Sequence, residues 1–154
     1  MEETARRAEV ARSTIYDALA AGMVETPTFR RLRVAMADPV ARRAMDRGLS
    51  AGAEFYEAEH KVSALGQLAS SDPDAAGAIG MLDTGRRIAV VDLARRLSEQ
   101  RQLRDGITMA EAADVLSVLT NFSTYEELRM GRSLSLRQVQ VRLKAMADRS
   151  LCSR

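Results

Sequence analysis

All three prolines of this 154-residue chain stand directly after a residue that caps helices: Thr26-Pro27, Asp38-Pro39 and Asp72-Pro73. A Thr or Asp side chain accepts orphan N–H groups of a first helical turn. Proline is tolerated there because the N–H it lacks has no partner within the helix. The pattern predicts a short helix over 27–37, a longer one over 39–68 loosened at Gly48 and Gly52, and a third over 73–103. In the third, Ile79, Leu82, Ile88, Val91, Ala94 and Leu97 fall at helical spacing, while Gly77, Gly80 and Gly85 mark a bend or a break.

Three further starts are written as capping boxes. Thr108 with Glu111, Ser123 with Glu126 and Ser135 with Gln138 each place a hydroxyl three residues before a Glu or Gln, so that side chain and backbone satisfy each other. They predict helices over 109–121, 124–130 and 136–150. Hydrophobic residues make up 46% of the chain, but aromatics only 4%, and Trp is absent. The core is therefore built from Ala, Leu, Val and Met, which with Arg and Glu are helix formers. No segment carries a strand pattern that its flanks support. The predicted fold class is all-α, a helical bundle.

Charge is nearly balanced at +2, from 23 basic and 21 acidic residues. Such a balance does not by itself point to nucleic acid. The basic excess is local, with nine Arg against seven Asp and Glu in residues 1–47. Cys152 stands alone, which excludes an internal disulfide framework and reads as a reducing, cytoplasmic setting. No apolar run reaches the ~20 residues of a membrane span, and the charged start lacks the apolar core of a secretory signal.

No catalytic constellation stands out, and the chain is read as a non-enzyme. Glu57 and His60 have the i, i+3 spacing of carboxylate-bundle metal ligands, but such a site needs the motif twice and His60 is the one histidine. Cys152 has no positioned base in the sequence. The glycines between 77 and 85 have neither the lysine nor the preceding strand of a phosphate loop. No cofactor or metal is expected. The 136–150 helix carries Leu136, Val139, Leu143 and Met146 at spacings of three, four and three, a seam of the kind that meets another helix. The 109–121 helix carries Met109, Ala112, Ala113, Leu116 and Leu119 on one face. Both stripes fit either a partner helix or the chain's own core.

Residues 4–19, TARRAEVARSTIYDAL, resemble the second and third helices of the TetR family of bacterial transcriptional regulators, whose pattern reads I-A-x-x-A-G-V-S-x-x-T-x-Y-x-x-F. Ala5, Ala8, Val10, Thr14, Tyr16 and Leu19 fall at its places. Residues 103–131 resemble the family's C-terminal part, with Ala112-Ala113-Asp114, Leu116, Leu119, Tyr125 and Leu128 in order. The chain departs from the family at Glu9, where the turn has Gly, and at Ala11, where a Ser or Thr caps the recognition helix. The family's first helix has no counterpart.

The resemblance implies a partial helix-turn-helix over 1–22 and a helical effector-binding and dimerisation domain over 23–154. In the remnant, Arg12, Ser13, Thr14 and Tyr16 would face DNA, with binding impaired unless a complete helix-turn-helix exists upstream. A small apolar effector would sit among Phe55, Tyr56, His60, Met81, Arg87, Val91, Leu116, Thr120 and Phe122. A homodimer would form through Met109, Ala112, Leu116, Leu136, Val139, Leu143 and Met146. The alternative is a helical interaction module that homo- or heterodimerises without binding DNA.

Overall fold

The structure, a computed structural model, describes Ala18 and residues 21–153, including every side chain of these except His60 and Lys61. The reading of Arg12, Ser13, Thr14 and Tyr16 as DNA contacts thus lies outside the described residues. Residues 21–24 are helical. They lead into α1 (Pro27–Met36), α2 (Ala41–Ala58), α3 (His60–Leu68), α4 (Pro73–Glu99), α5 (Met109–Leu119), the short α6 (Phe122–Glu126) and α7 (Leu136–Leu151). Among the described residues there is no strand, only an isolated bridge between Leu103 and Cys152. The all-α class holds.

Most starts follow their local signals. Thr26 Oγ1 accepts the Phe29 N–H at 3.3 Å, and the Asp72 carboxylate accepts those of Asp74 and Ala75. The capping boxes at Thr108 and Ser135 both form. The box expected at Ser123 does not. Asn121 Oδ1 instead accepts the Ser123 N–H at 2.8 Å and starts the helix at Phe122. The segment after it widens into a π turn over Glu127–Gly131, where the missing Cβ of Gly131 leaves room for the Glu127 carboxylate.

Asp38-Pro39 is the second correction. The Asp38 carboxylate accepts the Val40 N–H at 3.0 Å and the guanidiniums of Arg43 and Arg47, so it folds the loop and does not cap a helix. Helix α2 begins at Ala41, after Val40, which has no capping side chain. Its first N–H groups, of Ala41 and Arg42, donate to Gln100 Oε1 and Gln102 Oε1, each at 2.8 Å. Gln100 also donates to the Pro39 carbonyl at 2.8 Å, and Arg96 donates to the carbonyls of Met36 and Asp38. The joint between α1 and α2 is therefore completed from the far end of α4.

The helix expected over 39–68 is divided at Glu59, whose non-helical backbone (φ −100°, ψ 73°) ends α2 and opens α3. Glu59 accepts a hydrogen bond from Thr28 Oγ1 at 3.2 Å, which fixes the break against α1. Gly48 does not loosen α2. It is buried where Met36 of α1 lies across the helix, and a Cβ there would collide with the Met36 sulfur. Nor do Gly77, Gly80 and Gly85 break α4, which runs unbroken for 27 residues and stops at Glu99.

Helices α2, α4, α5 and α7 form a ring in which each packs on two of the others. Inside it lie Ala41, Ala44, Met45, Leu49 and Ala53 of α2, Val90, Leu93, Ala94 and Leu97 of α4, Leu116 of α5, and Val139, Leu143 and Leu151 of α7. Small residues on α2 let the helices approach closely, consistent with the alanine-rich composition. A second core joins Met23, Phe55, Val62 and Leu65 to Ala75 and Ala78 at the start of α4. The chain end is tied down as well: Arg104 N–H donates to the Leu151 carbonyl at 2.8 Å, and Cys152 is buried.

Candidate functional site

Among the described residues, the aromatic side chains gather in one place. Phe55 and Tyr56, at the end of α2, stack with Phe29 of α1 and with Phe122 and Tyr125 of α6, with ring centroids 5.2–5.6 Å apart. Edge-to-face and tilted geometries of this kind are favourable for quadrupolar rings. The Tyr56 hydroxyl donates to the Thr120 carbonyl at 3.0 Å. Burial pushes its phenol up to about 12, with the Arg86 charge opposing and Asp83 adding to the shift.

A polar network borders this cluster. Arg86 donates to the Ser117 carbonyl (2.8 Å), to Thr120 Oγ1 (3.0 Å) and to Asp83 (2.6 Å). Asp83 also accepts from Arg87 at 2.6 Å, and these bonds to Arg87 and Arg86 hold its carboxyl below the usual range. Thr120 Oγ1 donates to the Leu116 carbonyl at 2.7 Å. Elsewhere on the cluster, the Tyr125 hydroxyl donates to Glu57, which also takes a forked pair of bonds from Arg129, each at 3.0 Å. Burial and then the Glu57 carboxylate push the Tyr125 phenol upward.

The structure thus brings together Phe55, Tyr56, Leu116, Thr120 and Phe122 from the predicted pocket, with Arg87 joined through Asp83. It separates Met81 and Val91 from them. Both are exposed on the outer face of α4, as is Ile88. His60 opens α3, and its side chain lies outside the described residues. Sequence reasoning missed Asp83, Arg86, Glu57, Tyr125 and Arg129 as neighbours of the cluster. The i, i+3 and i, i+4 spacing of Asp83 with Arg86 and Arg87 was a usable signal. Glu57 and Tyr125, 68 residues apart, left none. Chemically, the rings pack on one another and the donors and acceptors at their border are paired among themselves. Tyr56 and Tyr125 keep their protons at neutrality, and Asp83 keeps its charge.

The predicted dimer residues divide. Ala112, Leu116, Val139 and Leu143 are buried in the chain's own core, because α5 and α7 turn these stripes into the ring. Leu136 packs partly buried against the same core, and only Met109 and Met146 are exposed. Outside, α5 and α7 enclose an open groove of about 490 Å³ lined by Asp114, Val115, Val118, Leu119, Met146, Arg149 and Ser150. Val118 is 61% exposed. Glu111 and Asp114 make the α5 side of this face acidic, and Arg142 and Arg149 make the α7 side basic.

Compared with known proteins, the chain matches no family model, no curated protein and no solved structure. Among the described residues, no helix is long and apolar enough to cross a membrane, and no group of three His, Cys, Asp or Glu is placed to hold a metal ion.

Proposed function

We propose that this chain is the dimerising, effector-binding part of a TetR-like transcriptional regulator. The observation that carries the reading is the outer face of α5 and α7. Its apolar floor of Val115, Val118 and Met146 lies between an acidic helix and a basic one. A two-fold axis through such a face sets the acidic α5 of one copy beside the basic α7 of its partner, which is self-complementary. This face is rotated from the predicted seam: the residues at its centre are Val115, Val118 and Met146, not Val139 and Leu143.

The effector reading rests on the aromatic cluster. An apolar molecule entering beside Tyr56 and Phe122 meets Thr120 and Arg86 as its polar neighbours. Helix α5 is common to both features, since Leu116 faces the interior and Val118 the outside. A ligand that repacks the cluster therefore biases the position of α5, and with it the geometry of the dimer. Sedimentation velocity at micromolar concentration is expected to give a dimer, and Val118→Glu with Met146→Glu a folded monomer. A stable monomer of the unaltered chain at that concentration overturns the proposal.

A further inference from the structure

Arg42 stands in the first turn of α2, four residues before Asp46, the spacing at which opposite charges meet on a helix. The two do not pair. The Arg42 guanidinium crosses to α7 instead, donating to Asp148 Oδ1 at 3.0 Å and to the Ser153 carbonyl at 3.1 Å. Its backbone N–H is held by Gln102, whose own carbonyl accepts the Ser153 N–H at 3.4 Å. Arg42 thus ties the last turn of α7, and the residues after it, to the start of α2. The tie is a weak one, because the two side chains of the ion pair are 40% and 42% exposed and water screens such a pair.

Asp46 is the carboxyl that this arrangement leaves out. Among the described residues its Oδ1 is buried and accepts no hydrogen bond. The charges facing it are Asp148 and Lys144 of α7 and Arg42 of its own helix, and the buried Cys152 thiol lies among the same groups. Burial first, and Asp148 second, raise its carboxyl above the ordinary 3.8 against the pull of Lys144 and Arg42. The observed geometry is therefore the one that suits a protonated Asp46. Ionisation changes the competition for the guanidinium. A buried charge needs a partner more than an exposed one does, and Asp148 can be left to water or to Lys144, four residues before it on α7.

We infer that Arg42 is a two-position latch set by the proton on Asp46. With Asp46 protonated, Arg42 holds the end of α7 and residues 152–153 against α2. With Asp46 ionised, Arg42 turns along α2 to pair with it and releases them. Opening therefore gives up a proton and is favoured as pH rises, the sign required of a carboxyl raised in the closed form. The turn that is freed carries Arg149 and Ser150 of the outer groove, so the latch reaches that face. The inference goes beyond the dimer and effector reading and does not depend on either.

The test is amide hydrogen exchange of the full chain by NMR from about pH 4 to about pH 8, the span across which burial can move a carboxyl. The amides read are those of Cys152 and Arg104, which donate to the carbonyls of Asp148 and Leu151. After division by the intrinsic rate, opening at both should rise with pH, by at most about tenfold per unit because one proton leaves, and then level off. Low concentrations of urea should not change it, since a local opening exposes little surface. Asp46→Asn should keep both amides protected at every pH, with no step. Arg42→Gln should leave them as open in acid as the unaltered chain is at high pH. Thermal melting by circular dichroism checks that each variant folds. The inference is overturned by opening that does not rise with pH, or by a rise that survives in Asp46→Asn. It is equally overturned by a rise that grows with urea, which is unfolding of the whole ring. A step preserved in Arg42→Gln also overturns it, because Asp46 and Asp148 then repel each other without a latch.

Discussion

Gly48 and Gly52 lie one turn apart on α2, yet the same substitution should act on them in opposite directions. In a helix interior, replacing Gly by Ala stabilises by about 0.5–1 kcal/mol, because the unfolded chain loses freedom that the helix did not use. At Gly52 an added Cβ meets nothing within 4 Å, so Gly52→Ala should gain that full amount. At Gly48 the Cβ runs into the Met36 sulfur, with Met36 Cγ at 3.5 Å. Overpacking of this kind costs about 1–3 kcal/mol, which cancels or exceeds the helical gain. The two variants should therefore differ by about 1–3 kcal/mol, and Gly48→Ala should be neutral to destabilising. Met36 is a flexible side chain that can yield, so the cost belongs at the lower end if it swings aside. A double-mutant cycle separates the causes. In a Met36→Ala background, Gly48→Ala should stabilise like Gly52→Ala, a coupling of about 1–3 kcal/mol between the two sites. Urea unfolding followed at 222 nm, with unchanged slopes, reads each free energy. The reasoning is refuted if Gly48→Ala stabilises as much as Gly52→Ala, or if removing Met36 leaves the Gly48→Ala effect where it was.

Two carboxylates make predictions about pH with opposite signs. The Val40 N–H and the charges of Arg43 and Arg47 hold the Asp38 carboxyl below its ordinary 3.8. A depressed folded value means that its contribution is present above 3.8 and lost as the pH falls through the folded value. Asp38→Asn should thus lower the thermal midpoint at neutral pH and reduce its decline on acidification below the ordinary value; an unchanged acid decline would remove the assignment. Asp46 is the reverse. Burial, then Asp148, raise its carboxyl above 3.8 against the pull of Lys144 and Arg42, and its Oδ1 is buried without a hydrogen-bond partner among the described residues. Its favourable contribution is complete below 3.8 and is lost as pH rises through the raised value, so the ionised group is a burden at neutrality. Asp46→Asn should raise the midpoint at pH 7, and the gain should fade in acid; a lower midpoint at pH 7 would contradict this account.

What the sequence showed and what it hid follow from the range of the interactions. Starts set within three residues, at Thr26, Asp72, Thr108 and Ser135, were readable because cap and helix are neighbours in the chain. The start of α2 was not, since its acceptors sit on Gln100 and Gln102 and its apparent cap, Asp38, is taken by two arginines. The break at Glu59 has no proline or glycine to announce it. On α7 the spacing of Val139 and Leu143 correctly marked an apolar seam, but spacing carries no information on whether a seam meets its own core or another chain. The site divides in the same way. Phe55, Tyr56 and Phe122 are conspicuous in a chain with so few rings, whereas Arg86 and Glu57 join them only through the tertiary fold.

The glutamine caps on α2 also bear on the order in which this molecule assembles. A helix whose opening N–H groups find acceptors 59 and 60 residues downstream leaves those groups to water until that part of the chain is made. As the chain is synthesised, α1 and α2 emerge as a hairpin whose corner stays open until the end of α4 arrives with Arg96, Gln100 and Gln102. Closing that corner joins early and late parts of the sequence in one step, so the loop entropy falls due only when four helices are present to repay it. Hydrogen exchange at Ala41 and Arg42 should report the opening of the whole ring, not the fraying of a single helix end.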